Sequence, residues 1–194
     1  MLYFCKVTYM TIGIDIDDTI TNSSKVVKRY LMKALDPEIV KKSFKGIMRG
    51  NYVNDTLESF YDEYGLEIGN AIKIKKDAVE IINKLHDEGH KIIIITARSD
   101  NFYGNAQQFC EEYFERYNLK YDKLFTSQIY KTKLCLDENI DLMIDDSIDT
   151  VDAIHDLGRK SILFTSALNK GEKCKSKRLN SWKEVYNYIQ KINY

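Results

Sequence analysis

Five short segments rich in apolar and β-branched residues, at 11–16, 91–96, 123–126, 142–145 and 161–165, constrain the fold of this chain more than any other feature. Most run continuously apolar, as in KIIIIT, without the in-out alternation of a half-exposed strand. That is the pattern of strands covered on both faces of a parallel sheet. Segments of helical period lie between them. Residues 77–88 place Ala78, Ile81, Ile82 and Leu85 on one face and stop at Gly89, a residue suited to a left-handed C-cap. Residues 105–117 group Ala106, Phe109, Cys110, Tyr113 and Phe114, and residues 147–157 group Ile148, Val151, Ile154 and Leu157 ahead of Gly158. Strands alternating with such helices imply right-handed βαβ crossovers and a Rossmann-like, doubly wound, five-stranded parallel sheet.

One interval breaks the alternation. About 55 residues separate the first strand from the helix before the second, too many for a loop. Residues 26–35 read as a helix, Asp36-Pro37-Glu38 supplies an N-cap followed by proline at the first helical position, and a further helix is expected over residues 54–64, ending at Gly65. The expected organisation is a core of residues 1–20 and 75–194, with residues 21–74 inserted as a small helical cap. The alternative is an outer helical layer with no part in the site.

Composition removes several function classes. The chain has 194 residues, and its 29 basic and 29 acidic side chains cancel to a formal net charge of +0, so no large nucleic-acid surface is expected. Cys5, Cys110, Cys135 and Cys174 form no C-x-x-C pair, which argues against a zinc site or a disulfide framework. The isoleucine run at residues 92–95 is far short of a membrane span, and residues 1–10 lack the apolar core and cleavage site of a signal peptide. A cytoplasmic protein with no membrane partner is expected, and a homodimer is allowed. Met10 directly precedes the first strand, so translation from Met10 and a first strand lengthened by residues 2–9 are equally open.

In an open parallel sheet ligands bind beyond the carboxyl ends of the strands. There the chain places Asp15, Asp17 and Asp18 after the first strand, Thr96, Ala97 and Arg98 after the second, and Asp145, Asp146 and Ser147 after the fourth. Lys131 and Lys133 lie between the third strand and the helix leading to the fourth. An aspartate pair after a strand is more often a turn or a cap than a site. The ordered series, D-x-D-x-T, then Thr, then Lys, then Asp-Asp, is far harder to obtain by accident. Carboxylates at the ends of adjoining strands would repel one another without a cation, and hard oxygen ligands suit magnesium.

The series resembles the four motifs of the haloacid dehalogenase superfamily of phosphohydrolases, in Asp15-Ile16-Asp17-Asp18-Thr19, Thr96, Lys131 and Asp145-Asp146. The stretches KIIIITARSD, IYKTKLCLDENIDLMIDDS and RLNSWKEVYNYI further resemble bacterial nucleotidases related to the 5′(3′)-deoxyribonucleotidases. The resemblance implies that Asp15 is the nucleophile and Asp17 the general acid and base. It also implies that Asp15, the backbone carbonyl of Asp17 and Asp145 hold Mg2+, that Asp146 supports them, and that Thr96, Ala97 and Lys131 bind the substrate phosphate. Thr19 is expected to cap the turn. Position 18 is Asp where many relatives carry Gly, and Lys131, ten residues before Asp141 as the family spacing requires, is favoured over Lys133.

The implied activity is Mg2+-dependent hydrolysis of a small phosphomonoester through an aspartyl-phosphate, with a (deoxy)nucleoside monophosphate as leading substrate and a sugar phosphate as the alternative. A receiver-like or purely phosphate-binding domain is the rival from another class. Receivers resemble the reverse arrangement, with the acidic pair first and the acceptor Asp in mid-domain. Substrate selection is expected from Asn22, Phe44, Met48, Arg49, Tyr52 and Asn54, with Tyr52 a candidate substrate contact. The rings among them are able to stack a base or form the cap's own core. Arg98 is open between substrate contact and pairing with a surface carboxylate.

Overall fold

The computed structural model describes residues 9–49 and 55–192. β1 (Thr11–Ile14), β2 (Lys91–Ile95), β3 (Lys123–Phe125), β4 (Leu142–Asp145), β5 (Lys160–Phe164) and β6 (Lys177–Leu179) form one sheet in the order β3-β2-β1-β4-β5-β6, every pairing parallel. The helices are α1 (Ser23–Ala34), α2 (Pro37–Met48), α3 (Asp55–Ala71), α4 (Ala78–Asp87), α5 (Asp100–Tyr103), α6 (Ala106–Glu115), α7 (Thr132–Asp137), α8 (Ile148–Asp156) and α9 (Trp182–Ile192). No described helix is long and apolar enough to cross a membrane. Among the described residues Cys110, Cys135 and Cys174 are free thiols, and Cys5 lies outside them.

This is the doubly wound parallel sheet the apolar runs imply, with six strands where five were expected. The extra strand is β6. It spans three residues at the sheet edge, two of them charged and only Leu179 buried, so no apolar run announces it. Both faces of the central strands are covered, and successive residues point to opposite faces. Ile12, Ile14, Ile92, Ile94 and Ile144 pack with α4, α6 and α9 on one side. Ile93, Ile95 and Met143 pack with Cys135 of α7 and Ile154 of α8 on the other. The strand order reverses between β1 and β4, which places a crevice at their carboxyl ends.

The interval between β1 and α4 holds α1, α2 and α3, which share an apolar cluster of their own, built on Val27, Leu31, Val40, Ile47, Phe60 and Ile68. Asp36 caps α2, its Oδ1 accepting from the Glu38 amide at 2.8 Å, with Pro37 as first residue. The chain enters and leaves this layer through one neck. Thr21 and Ile74 pair antiparallel, the Asn22 amide donates to the Lys73 carbonyl at 3.1 Å, and the Lys75 amide donates to the Ile20 carbonyl at 2.8 Å.

The helix expected to end at Gly65 continues to Ala71. Its glycines mark close approaches. A Cβ at Gly65 would lie 2.5 Å from the Phe102 carbonyl oxygen in α5, and one at Gly69 would lie 2.7 Å from the Phe109 ring. Gly65→Ala is therefore expected to destabilise the protein by about 1–3 kcal/mol through this backbone clash. That outweighs the roughly 0.5–1 kcal/mol that alanine gains over glycine in a helix interior. Urea denaturation measures the change, and a net gain in stability would contradict the packing argument.

Candidate active site

The loop after β1 is shaped by hydrogen bonds that aim three aspartates differently. The Asp15 amide donates to the Ile144 carbonyl of β4 at 2.9 Å, holding Asp15 at the crevice. The Thr21 amide and hydroxyl both donate to the Ile16 carbonyl at 3.0 Å and close the loop. Asp17 is extended (φ −75°, ψ 126°), while Asp18 is left-handed at φ 58°. Glycine adopts that conformation most easily and aspartate is among the few others that tolerate it, so Asp can stand where relatives carry Gly. Asp18 bonds to the start of α1. Its amide donates to Ser23 Oγ at 2.9 Å, and its carboxylate accepts from the Ser24 amide at 3.1 Å and hydroxyl at 2.9 Å, so it caps the start of α1.

Thr19 does not cap the turn as expected. Its hydroxyl is buried without a partner among the described residues, and Thr21 and Asp18 do the capping. The Thr19 carbonyl instead accepts from the indole of buried Trp182 at 3.3 Å, which ties α9 to the loop.

Carboxylate oxygens of Asp15, Asp145 and Asp146 lie within 4.8 Å of one another. Burial, with Asp145 and Asp17 nearby, pushes the Asp15 carboxyl up to about 7 despite the opposing pull of Lys131. Burial, with Asp15, Asp145 and Asp18 nearby, pushes Asp146 well above the ordinary carboxylate range. Such crowding is what a divalent cation relieves, and an all-carboxylate donor set fits magnesium. Asp146 thus sits inside the cluster. Its carbonyl, with that of Phe164, accepts from Asn169 Nδ2 at 2.8 Å, joining the ends of β4 and β5.

Lys131 supplies the local positive charge. Its Nζ donates to Asp15 Oδ1 at 2.5 Å and Asp145 Oδ2 at 2.8 Å. Burial alone would depress its pKa, but Asp145 and Asp15 raise it, so it stays an ammonium. Lys133 faces the opposite way, bonded to Asp137 with its side chain 86% exposed.

After β2, buried Thr96 accepts from the Arg98 amide at 3.2 Å on its hydroxyl oxygen, and Ala97 between them is exposed. Arg98 pairs with a carboxylate, but not at the surface. Its Nε and Nη2 donate to Asp17 Oδ2 and Oδ1 at 2.9 and 2.7 Å, and its side chain is 1% exposed. The guanidinium lies 5.3 Å from the Tyr103 ring centroid and 5.8 Å from that of Tyr113, and its Nη1 has no partner among the described residues. Burial would raise the Asp17 carboxyl, yet Arg98 outweighs it and holds the group below the usual range.

Of the expected selectors, Phe44 and Met48 belong to the apolar cluster of α1–α3, and Phe44 with Asn22 also lines a cavity beside the site. Arg49 reaches across to Glu172 at 2.7 Å. Tyr52 and Asn54 lie outside the described residues. Lys75 was not foreseen. Its Nζ donates to the Asp18 carbonyl and stands 4.6 Å from the Phe164 ring centroid, and it feels the charges of Asp18, Asp146 and Asp15. In sequence it is one lysine of the run KIKK and carries no motif.

Residues 9–193 match the family model described as 5′ nucleotidase, deoxy (Pyrimidine), cytosolic type C protein. A curated nucleotidase of Clostridium acetobutylicum is 25% identical over 188 residues, covering 94% of this chain and 95% of the other. Among solved structures, a predicted phosphatase from Clostridium acetobutylicum superposes with a TM-score of 0.67 at 15% identity, covering 95% of this chain and 100% of that one. A haloacid dehalogenase-like hydrolase from Streptococcus pneumoniae gives 0.67 at 13% identity, over 94% of this chain and 99% of that one.

Proposed function

Because the chain belongs to the family of 5′ nucleotidase, deoxy (Pyrimidine), cytosolic type C proteins, we propose that it hydrolyses (deoxy)nucleoside monophosphates with magnesium, through a phosphate carried on Asp15. Membership makes it a phosphoric monoester hydrolase of the haloacid dehalogenase superfamily. The observation that carries the finer reading is the buried pair Asp15 and Asp145, bridged by Lys131 with half-buried Asp146 beside them, at the switch point of the sheet.

Asp15 attacks phosphorus, forming an aspartyl-phosphate as the bond to the leaving oxygen breaks. That oxygen takes a proton from Asp17, and Asp17 then takes a proton from the water that attacks phosphorus and frees Asp15 and inorganic phosphate. Arg98 holds Asp17 in a bidentate grip that favours its ionised form, so Asp17 parts from Arg98 and takes up a proton from solvent before it donates to the leaving oxygen. Lys131 offsets negative charge on Asp15 and the phosphate, with Thr96 and the Ala97 amide as phosphate donors. Asp15, the Asp17 carbonyl and Asp145, with Asp146 beside them, would hold Mg2+, which when bound neutralises phosphate charge and orients the nucleophile.

Residues 21–74 serve as the cap over the leaving group and residues 1–20 and 75–194 as the core. Support comes from the separate apolar cluster of α1–α3 and the paired neck at Thr21 and Ile74.

Phosphate release over a panel of nucleotides, sugar phosphates and phosphoamino acids, with and without Mg2+, tests the reading. Turnover of (deoxy)nucleoside monophosphates that disappears with chelation is expected. Turnover confined to sugar phosphates overturns the substrate, and equal rates after chelation overturn the metal.

A further inference from the structure

A cavity of about 900 Å³ opens beside the carboxylate cluster, between α1, α2 and the loop that follows β5. Asp18 and Lys75 line it, and although burial lowers the Lys75 pKa, Asp18, Asp146 and Asp15 are close enough for their charges to oppose that shift. The far wall is strongly basic. Lys25 and Lys28 come from α1, Lys42 from α2 and Lys170 from the loop, and with Lys75 none of these forms an ion pair with a carboxylate among the described residues. Lys41 and Lys45 also line it, but Glu38 and Glu172 compensate them.

Asp18, the one carboxylate in the wall among the described residues, already accepts from Ser24. Ammonium groups gathered around a cavity repel one another unless an anion lies between them. General basicity does not explain the cluster, because the chain as a whole has a formal net charge of +0. The wall also holds Thr165, whose buried hydroxyl has no partner among the described residues, and the edge of buried Phe44, whose ring centroid lies 5.2 Å from Lys28 Nζ. Lysine ammoniums bind phosphate as mobile point charges with three donors each.

We propose that this cavity receives a second phosphate on the leaving-group side of the substrate, so that the preferred substrate is a nucleoside bisphosphate. The inference rests on the phosphohydrolase reading above and narrows its substrate. One phosphate reacts at Asp15, and the other stays intact against Lys25, Lys42 and Lys170, anchoring the nucleoside under α1 and α2.

The test compares steady-state kinetics on a deoxynucleoside 5′-monophosphate and its 3′,5′-bisphosphate, with Mg2+, for wild type and for the triple variant Lys25→Gln/Lys42→Gln/Lys170→Gln. Circular dichroism and thermal melting establish that the variant is folded. Wild type is expected to favour the bisphosphate by about tenfold or more in kcat/KM, from several exposed charge contacts of modest individual strength. In the variant that ratio falls towards one through a raised KM for the bisphosphate, and inorganic pyrophosphate competes with the bisphosphate in wild type. Equal kcat/KM for the two nucleotides, unchanged in the variant, overturns the cavity assignment while leaving the phosphohydrolase reading intact. Non-competitive inhibition by pyrophosphate that the variant abolishes also overturns it, because the cavity then binds a separate anion. Absence of turnover on both nucleotides defeats the substrate reading itself and the inference with it.

Discussion

Asp15→Asn is expected to lower phosphate release by about a thousandfold or more in kcat, since the amide cannot form the covalent intermediate. The side chain sits where the carboxyl ends of β1 and β4 meet, within hydrogen-bond reach of Lys131. The substitution keeps shape and nearly all packing, so the loss is chemical. Folding stability is expected to hold or rise in metal-free buffer, because the Asp15 carboxyl is pushed up to about 7 by burial, Asp145 and Asp17. A group whose ionised form is disfavoured by the fold contributes nothing to stability by being ionised, and the neutral amide removes that repulsion. Stopped-time phosphate assays and thermal melts measure the two effects. Near-normal turnover removes Asp15 from the nucleophile's role, and a large drop in melting temperature makes the activity loss uninterpretable as chemistry.

Lys131→Ala is expected to have the largest effect on stability of any single substitution in the site. Its ammonium is buried and bonded to Asp15 and Asp145, with Asp146 close by. Removing one side of a buried charge cluster leaves the other uncompensated, at about 3–5 kcal/mol. For a chain of this size that corresponds to a fall in melting temperature of about 10 °C. Turnover should fall by about a hundredfold or more, since the phosphate loses a fixed positive charge in a water-poor site. Mg2+ should recover part of the melting temperature, as a divalent cation restores positive charge among the same carboxylates. Lys133→Ala is the control. Its ammonium meets only Asp137 in solvent, so activity and melting temperature should stay near wild type. Equal deficits in the two variants would show that the buried bridge has no special weight.

The chemistry of the site was more legible in the sequence than its electrostatics. Asp15, Asp145 and Asp146 stand at strand ends, positions that local apolar pattern alone can locate, while Lys131 is favoured over Lys133 only through the family resemblance. The pairing of Arg98 with Asp17 spans 81 residues of sequence, and that of Lys131 with Asp15 spans 116. Nothing local distinguishes Arg98 from a surface arginine. Thr19 was misread for the same reason, because which hydroxyl closes the loop depends on the left-handed turn at Asp18 and on the entry angle of α1. Gly65 reads as a helix stop, since the sequence shows a missing side chain without showing what fills the space.

The sequence by itself determined the alternation of buried strands and helices, the parallel sheet, and the order of carboxylates, threonine and lysine along it. These follow from period and polarity, which act over a few residues at a time. Only the tertiary structure decided that Lys131 and not Lys133 turns inward, that Arg98 grips Asp17, that Lys177–Leu179 adds a sixth strand, and that lysines from α1, α2 and two loops face one cavity. Those outcomes depend on charges and backbones brought together from distant parts of the chain, where packing and Coulomb forces act through space without regard to sequence separation.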